Sequence, residues 1–276
     1  MTEQDKIKKC AELVAKSKEV IRESFKKFTP DEMAITWTGG KDSTLTLWII
    51  RKVCQEDGIK LPKVMTIDEY DSFEEIHEFI NKYAQEWKLD LEWCRNDDVV
   101  KAAGGKLNGI VKVKDLNERN QAELKRIGYE EESFPFEAES YVGNHLMKTV
   151  VFNMYIERHK VKGIFQGLRR DEQTARIQDD YFEEKEAANL IPEHVRIKPI
   201  LHFTERQLWN TYQVYKIPYC VLYEQGYRSL GAKTTSAIAE PGVPAWEQDL
   251  EHTTERAGRR QDKEKMMERL RKLGYM

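Results

Sequence analysis

The stretch AITWTGGKDSTLTLW, residues 34–48, places two glycines, a lysine, an aspartate and a serine between two apolar segments. Residues 33–38 are short, apolar and β-prone and predict a buried strand, whereas residues 43–55 predict a helix. Gly39 and Gly40 lack a Cβ, so the turn between them can adopt left-handed dihedrals and admit an anion close to the backbone. The helix dipole favours negative charge at that point, so the turn predicts a phosphate cradle, with a plain helix-initiating turn as the alternative.

Polar side chains flank the two glycines. Thr38 and Ser43 supply hydroxyls, Lys41 supplies a cation, and Asp42 supplies a carboxylate that suits Mg²⁺. The spacing does not fit the G-x-x-x-x-G-K-[ST] pattern of a Walker A loop. The stretch therefore predicts an anion site of a different type.

Further along the chain, strand-like and helix-like patterns alternate. This order predicts an α/β fold, with an open, mostly parallel twisted sheet and helices on both faces. Helices are predicted at residues 4–27, 43–55, 72–87 and 141–158 and after Thr204, and strands at 33–38, 63–68, 89–94, 163–168 and 195–201.

The same patterns divide the chain. We expect an N-terminal helix in residues 1–30, a nucleotide-binding α/β domain in 31–217, and a C-terminal segment, 218–276, that completes the site. That last segment is irregular to Pro244 and ends in a charged helix. Residues 97–136 are charged and contain glycine, and they predict an insertion or a mobile lid.

A second polar motif, FQGLRRDEQTAR at residues 165–176, follows another predicted strand. It contains Gly167 and three arginines, Arg169, Arg170 and Arg176. Guanidinium groups at the carboxyl end of a parallel strand can clamp phosphate or sulfate bidentately. The alternative is a solvated charged loop.

Composition narrows the classes of function. The net charge of −3 gives no signal for nucleic-acid binding, and no apolar run is long enough to span a membrane. The start MTEQDKIKKC is not a signal peptide, so we expect a cytoplasmic protein. The four cysteines are far apart in sequence and the six histidines lack ligand spacing, so we expect no zinc and no iron–sulfur cluster.

The two motifs resemble those of a known group of enzymes. TGGKDS resembles the S-G-G-x-D-S pyrophosphate loop (PP-loop) of the adenine nucleotide α-hydrolase superfamily, with Thr38 in place of the first serine. FQGLRRDEQTAR resembles a stretch shared by the small subunit of sulfate adenylyltransferase and the phosphoadenosine phosphosulfate reductases. The tail, residues 253–276, is similar to the adenylyltransferase tail and brings in Arg256, Arg259 and Arg260.

The resemblance implies ATP as substrate, Mg²⁺, and a small anionic acceptor. It implies that Thr38, Gly39, Gly40 and Ser43 hold phosphates, with Gly167, Arg176, Arg256 and Arg259 also binding the nucleotide. Lys41, Asp42, Arg169 and Arg170 would act on the reacting groups, and Asp42 would hold the metal. Ile67 and Asp68 would lie beside adenine and ribose, although TIDEY departs from the family's V-D-T-G.

Four functions stay open at this point. Adenylyl transfer to an oxyanion, as in sulfate adenylyltransferase, needs no protein nucleophile and ranks first. Sulfonucleotide reduction needs a thiolate near the C-terminus, and no cysteine follows Cys220. FMN adenylylation fits residues 218–231, PYCVLYEQGYRSLG, and an ATP-binding scaffold is the fourth. The first function implies a GTPase large subunit as partner, and a homodimer is the other expected assembly.

Overall fold

The computed structural model describes residues 2–138, 140–172, 176–253 and 255. The helices are α1 (Glu3–Lys27), α2 (Lys41–Asp57), α3 (Glu74–Glu86), α4 (Asp97–Ala102), α5 (Glu118–Arg126), α6 (Tyr141–Asn144), α7 (Val151–His159) and α8 (Glu205–Tyr215). A π-helical turn, His145–Val150, joins α6 to α7. The strands are β1 (Met33–Thr36), β2 (Lys63–Ile67), β3 (Leu91–Cys94), β4 (Ile110–Lys112), β5 (Ser133–Pro135), β6 (Gly163–Phe165), β7 (Phe182–Lys185) and β8 (His194–Ile197).

Six strands form the central sheet in the order β3-β2-β1-β6-β8-β7. All neighbours are parallel except β7, which runs antiparallel to β8 at the edge. The chain leaves β1 towards β2 on one side and later returns to β6 on the other side. The carboxyl ends of β1 and β6 therefore form the switch point where α/β sheets bind ligands.

Helices cover both faces of this sheet, as the sequence predicts. Ile35 and Phe165 contribute to a core with α1, α2, α3 and α8, whereas Ala34 and Ile164 contribute to a second cluster with α7. These pairs alternate along β1 and β6 because successive side chains of a strand point to opposite faces. The predicted α/β class is confirmed.

Residues 97–136 fold around a core of their own. Strands β4 and β5 form an antiparallel pair, and Val111, Leu124 and Phe134 pack with Leu146 of the π-helical turn. The segment is thus joined to the helix that leads into β6. Its role as a lid stays a prediction.

The structure corrects several predicted boundaries. Helix α2 begins at Lys41, two residues before the predicted start, and β8 ends at Ile197 rather than at residue 201. Thr204 caps α8 as predicted, with Gln207 completing a capping box. Strand β7 was not predicted. The charged C-terminal helix lies outside the described residues, and none of the described helices combines the length and apolarity that a membrane span requires.

Candidate active site

The turn between β1 and α2 has the backbone shape that an anion site requires. Gly39 has a φ of +72°, and Gly40 caps the 17-residue helix α2. A Cβ on Gly39 would come within 3.1 Å of Ile76 and of Ile80, so α3 presses against the turn. The positive φ therefore favours glycine at position 39, and the two isoleucines leave little room for a Cβ.

Hydroxyl groups hold the turn closed. The amide of Thr38 donates to Ser43 Oγ at 3.1 Å, and Ser43 Oγ donates to the Gly40 carbonyl at 3.1 Å. The first amides of a helix have no intrahelical acceptor, so they are available to an anion. Thr38 and Ser43 thus shape the turn through hydrogen bonds to its own backbone.

Two buried tyrosines brace Lys41, the first residue of α2. The Lys41 amide donates to the Tyr223 hydroxyl at 2.8 Å, and the Tyr212 hydroxyl donates to the Lys41 carbonyl at 2.5 Å. The backbone amide of Lys41 therefore already has a partner. Sequence reasoning missed both tyrosines, although Tyr223 lies in the PYCVLYEQGYRSLG run that it singled out.

Gly167 places the end of β6 directly against this turn. A Cβ there would lie 2.6 Å from the carbonyl carbon of Asp42 and 2.6 Å from the amide of Ser43. Only a residue without a side chain allows this approach of two backbones. The two sequence motifs therefore meet at one point.

The Lys41 side chain turns inwards. It is 2% exposed, and its Nζ lies 2.5 Å from Glu255, 3.5 Å from Asp42 and 3.8 Å from Glu205. It also donates to the carbonyl of Arg228 at 3.0 Å. Burial lowers the pKa of Lys41, but the surrounding carboxylates outweigh that effect and raise it above its usual value. This lysine is a buried cation in an ion-pair network. The sequence had instead predicted a lysine on the turn that faces phosphate.

Arg169 lies in the same network and is fully buried. Its guanidinium donates to Asp42 and Glu255, and to Asp171 at 2.6 Å. Burial lowers the pKa of Arg169, and the carboxylates, Asp42 first among them, raise it well above its ordinary value. Lys41 and Arg169 therefore share the carboxylate of Glu255 between them.

The other two arginines of the second motif point elsewhere. Arg170 donates to the Asp179 carbonyl at 2.8 Å and lies over the ring of Tyr181. Arg176 is buried and pairs with Glu172. Within the described contacts, Arg169 alone of the three reaches the turn, so the structure does not bring the predicted clamp of three arginines together.

The predicted adenosine contacts lie at the end of β2. Ile67 packs partly buried against the cluster under α7, and the Asp68 carboxylate accepts from the Tyr70 amide at 2.8 Å and pairs with Arg95 at 3.2 Å. Both residues lie at the carboxyl edge of the sheet, one strand away from the turn. The predicted nucleotide contacts Arg256 and Arg259, with Arg260, lie outside the described residues.

Arg228 fixes the segment that carries Glu255. It is buried, donates to Glu205 at 2.8 and 3.0 Å, and donates to the carbonyls of Asp249 and Thr253 at 3.3 and 3.1 Å. The sequence patterns did not predict the pairing of Arg228 with Glu205. One sequence signal was present, because Arg228 lies within the GYRSLG run that resembles the known family.

Comparison with known proteins identifies the family. Residues 32–237 match the model of the phosphoadenosine phosphosulfate reductase domain. The chain belongs to this family. The match spans β1 to the segment beyond Arg228 and so includes both motifs of the site.

Within the phosphoadenosine phosphosulfate reductase domain family, relatives with two different names are similar to this chain. Sulfate adenylyltransferase subunit 2 of Pseudomonas savastanoi pv. phaseolicola is 26% identical over 98% of this chain and 82% of its own length. Phosphoadenosine 5'-phosphosulfate reductase of Xylella fastidiosa is 32% identical over 36% of this chain and 40% of its own length. The long match is thus to the adenylyltransferase subunit.

Solved structures show the same fold. The FMN adenylyltransferase of Candida glabrata superimposes with a TM-score of 0.67 and 18% identity, over 95% of this chain and 91% of that one. The phosphoadenylyl-sulfate reductase of Candida auris superimposes with a TM-score of 0.55 and 17% identity, over 80% and 90%. At these identities the likeness concerns the fold.

Thiols matter in a family that includes reductases. All four cysteines are free and buried. Burial raises the pKa of Cys54 and of Cys94 to about 12, and that of Cys220 to about 11. At neutral pH these groups are thiols rather than thiolates, so they are poor nucleophiles in this arrangement.

The predicted metal role of Asp42 finds little support in its contacts. One carboxylate oxygen accepts from Arg169, and the other lies 3.5 Å from Lys41 Nζ. Among the described residues, no group of three or more histidine, cysteine, aspartate or glutamate side chains is arranged to hold a metal. A Mg²⁺ ion held by Asp42 would have to displace these cations, so this arrangement does not fit the predicted metal role.

Proposed function

We propose that this protein is an ATP-dependent adenylyltransferase whose acceptor is a small oxyanion, sulfate being the first candidate. The observation that carries the proposal is the turn Thr38–Ser43, a glycine backbone at a helix N-terminus at the switch point of the sheet. The long match to a sulfate adenylyltransferase subunit 2 supports the choice of acceptor.

The proposed reaction requires little covalent chemistry from the protein. An acceptor oxygen attacks the α-phosphorus of ATP, the bond from that phosphorus to the bridging oxygen of the β-phosphate breaks, and pyrophosphate leaves with the electron pair. Catalysis then consists of positioning the groups in line and stabilising charge on the phosphates. The amides at the start of α2 other than that of Lys41 would hold the departing pyrophosphate, and the buried cations Lys41 and Arg169 would add positive potential behind the turn.

Reduction of a sulfonucleotide is less well supported. That reaction needs a thiolate able to attack sulfur, and all four thiols of this chain are buried, three of them with raised pKa values. An adenylyl transfer makes no such demand on the protein.

Transfer of AMP to FMN is the second candidate. It rests on residues 218–231, PYCVLYEQGYRSLG, which resemble the corresponding run of eukaryotic FMN adenylyltransferases. Tyr223 of this run braces the turn through the Lys41 amide, so the run belongs to the candidate site. The resemblance concerns the nucleotide side of the reaction and leaves the acceptor to experiment.

A partner subunit belongs to the proposal. Adenylylation of sulfate is strongly unfavourable, and the name subunit 2 of the Pseudomonas relative implies a second subunit there. We expect this chain to need a GTPase large subunit for net synthesis, and a homodimer is the alternative assembly.

The test measures pyrophosphate released from ATP and Mg²⁺ with sulfate or FMN as acceptor, with the large subunit of a related enzyme added in one arm. We expect release that depends on sulfate and falls at least about tenfold in Lys41→Met, which removes one of the two buried cations behind the turn. Glu251→Gln, which removes an exposed partner of Arg206, is the matched control and should keep full activity. Dependence on FMN would select the second candidate, and sulfite release from a sulfonucleotide would select the reductase. ATP binding without turnover in any arm would make the protein a scaffold.

A further inference from the structure

Asp71 lies in the loop between β2 and α3 and bonds to a segment that is distant in sequence. The residue is 6% exposed, and its carboxylate accepts from the hydroxyl of Thr234 and, at 3.3 and 3.4 Å, from the Thr234 amide. The Asp71 carbonyl accepts from the Lys233 amide at 2.7 Å. The loop is therefore tied to a segment that follows it by 163 residues.

A ring contact joins the same two parts of the chain. Phe73, the N-cap residue of α3, is buried, and its ring meets the ring of Tyr227 edge to face with a centroid separation of 5.2 Å. Aromatic pairs in this geometry stabilise a contact beyond the area that they bury. The start of α3 is thus held by the C-terminal segment at two places, one polar and one apolar.

The same C-terminal segment holds the start of α2. The Tyr223 hydroxyl accepts from the Lys41 amide at 2.8 Å, and the Arg228 carbonyl accepts from Lys41 Nζ at 3.0 Å. We call residues 223–234 the strap. Contacts at its beginning fix α2, and contacts at its end fix the loop before α3, so the strap links the two helices.

The phosphate turn lies between these two helices. Gly40 caps α2, and a Cβ on Gly39 would come within 3.1 Å of Ile76 and of Ile80, both on α3. Because α3 packs so closely on Gly39, a displacement of α3 changes the space in which the turn holds its shape. The strap therefore acts on the turn from both sides.

The loop that carries Asp71 is also held from its other side. Tyr70 has a φ of +67°, a conformation that is uncommon for a residue with a large side chain. Its hydroxyl donates to the Gly105 carbonyl at 2.8 Å, and its ring packs on Phe136. Strained backbone of this kind persists only where the surrounding contacts fix it. The loop is thus a fixed point between residues 97–136 and the strap.

We propose that Asp71 is a positioning residue for the phosphate turn: its carboxylate ties the strap to the start of α3 and so keeps α3 against Gly39. The inference rests on the proposed function, in which the turn binds pyrophosphate. Backbone amides bind an anion well only when they converge on it, so a small shift of α3 weakens binding without unfolding the protein. Asp71 acts on the ligand only through α3 and Gly39.

The test measures the affinity for inorganic pyrophosphate by calorimetric titration and the free energy of unfolding in urea. Asp71→Ala should bind pyrophosphate about tenfold more weakly, because the start of α3 loses its polar tie to the strap. The fold should persist, since Thr234 is exposed and water can replace the carboxylate as partner of its hydroxyl and amide.

Thr234 provides a second variant of the same contact. Thr234→Val removes the hydroxyl and keeps the amide, so part of the loss in affinity is expected. Thr234→Ser keeps the hydroxyl and should bind pyrophosphate as the unaltered protein does. The double variant Asp71→Ala with Thr234→Val should bind no more weakly than Asp71→Ala alone, because both changes remove the same contact.

A matched pair of residues provides the control. The Glu32 carboxylate accepts from the amide and the hydroxyl of Thr29 at 3.0 and 2.9 Å, the same two donors that Thr234 offers to Asp71. Glu32 directly precedes β1, so it lies at the opposite end of that strand from the turn. Glu32→Ala should therefore lower the free energy of unfolding and leave the affinity for pyrophosphate unchanged.

The outcomes separate this inference from the proposed function. Unchanged pyrophosphate affinity in Asp71→Ala would overturn the inference and leave the adenylyltransferase standing, and so would an equal loss in Glu32→Ala. If Asp71→Ala does not fold, Thr234→Val decides, and full affinity in that variant would overturn the inference. Failure of the unaltered protein to bind either ATP or pyrophosphate would overturn the proposed function as well.

Discussion

Gly167 brings the backbone at the end of β6 into contact with the backbone at the start of α2. We expect Gly167→Ala to push β6 away from the start of α2, because its Cβ would lie 2.6 Å from backbone atoms of Asp42 and Ser43. Overpacking of this kind costs about 1–3 kcal/mol of unfolding free energy, and here it also distorts the turn. The variant should therefore melt at a lower temperature and lose affinity for pyrophosphate.

The control for Gly167→Ala is Gly242→Ala. Gly242 has a φ of +76°, and a Cβ there would meet nothing within 4 Å. Its replacement should cost about 1 kcal/mol for the backbone conformation alone and leave pyrophosphate binding intact. Equal pyrophosphate affinity in the two variants would show that contact at Gly167 does not shape the turn.

Tyr223 supports the turn through one oxygen. Tyr223→Phe removes the acceptor of the Lys41 amide and leaves that buried donor unpaired, which costs about 1–3 kcal/mol. We expect a lower free energy of unfolding in urea and weaker binding of pyrophosphate. Tyr219→Phe removes an exposed hydroxyl that bonds Glu224, and it should change neither quantity by a comparable amount. A Tyr223→Phe protein as stable as the unaltered one would contradict this role.

The sequence predicted which residues form the turn, but not the direction in which the Lys41 side chain points. The glycines and hydroxyls of the turn act through local backbone, so the pattern Thr38–Ser43 was enough to place them. The direction of the Lys41 side chain depends on Glu205 and Glu255, which follow it by more than 160 residues. No local pattern carries that information, and the same holds for the braces Tyr212 and Tyr223.

At the level of elements, the sequence predicted the apolar strands and the amphipathic helices. It did not predict the polar strand at the edge of the sheet. Strands β1 and β2 are buried and rich in apolar residues, which gives a strong local signal. Strand β7 reads FEEK and lies at the sheet edge, where one side is solvated and the apolar pattern disappears. Strands β4 and β5 have three residues each and form only because tertiary contacts hold them.

Strand β8 supplies a prediction about pH. Burial lowers the pKa of His194 to about 4, with Arg196 and Lys185 also lowering it and Glu183 raising it. The folded state therefore holds His194 neutral, and its contribution to stability is present above the unfolded pKa of about 6.5. As pH falls from there to about 4, the unfolded state binds the extra proton and up to about 3 kcal/mol is lost.

Replacing His194 should reduce the dependence of the unfolding free energy on pH between pH 6.5 and pH 4. His194→Gln should lose less of its unfolding free energy between pH 6.5 and pH 4 than the unaltered protein does, even if it is less stable at neutral pH. His252→Gln changes an exposed side chain and serves as control. Parallel curves for His194→Gln and the unaltered protein would mean that His194 is not buried in its neutral form.

Over the whole molecule, the C-terminal segment closes the network that begins at the turn. Arg228 ties residues 249–253 to α8 through Glu205, and the segment then delivers the carboxylate of Glu255 to Lys41 and Arg169. This carboxylate pairs with both cations, beside the carboxylate of Asp42. The predicted role of residues 218–276 in completing the site agrees with these contacts and stays a prediction for catalysis.

Glu255 should therefore compete with an anionic ligand for the same positive charge. Glu255→Gln keeps the size of the side chain and removes its charge, so one carboxylate fewer offsets the charge of Lys41 and Arg169. We expect pyrophosphate to bind about tenfold more tightly, a gain of about 1.4 kcal/mol, while the free energy of unfolding without ligand falls because a buried ion pair is lost. Glu251→Gln, on the same segment but paired with Arg206, should alter neither value. Titration calorimetry measures the affinity for pyrophosphate, and urea unfolding measures the stability. Weaker pyrophosphate binding in Glu255→Gln would contradict the prediction and would mean that the carboxylate holds the cations in their binding geometry.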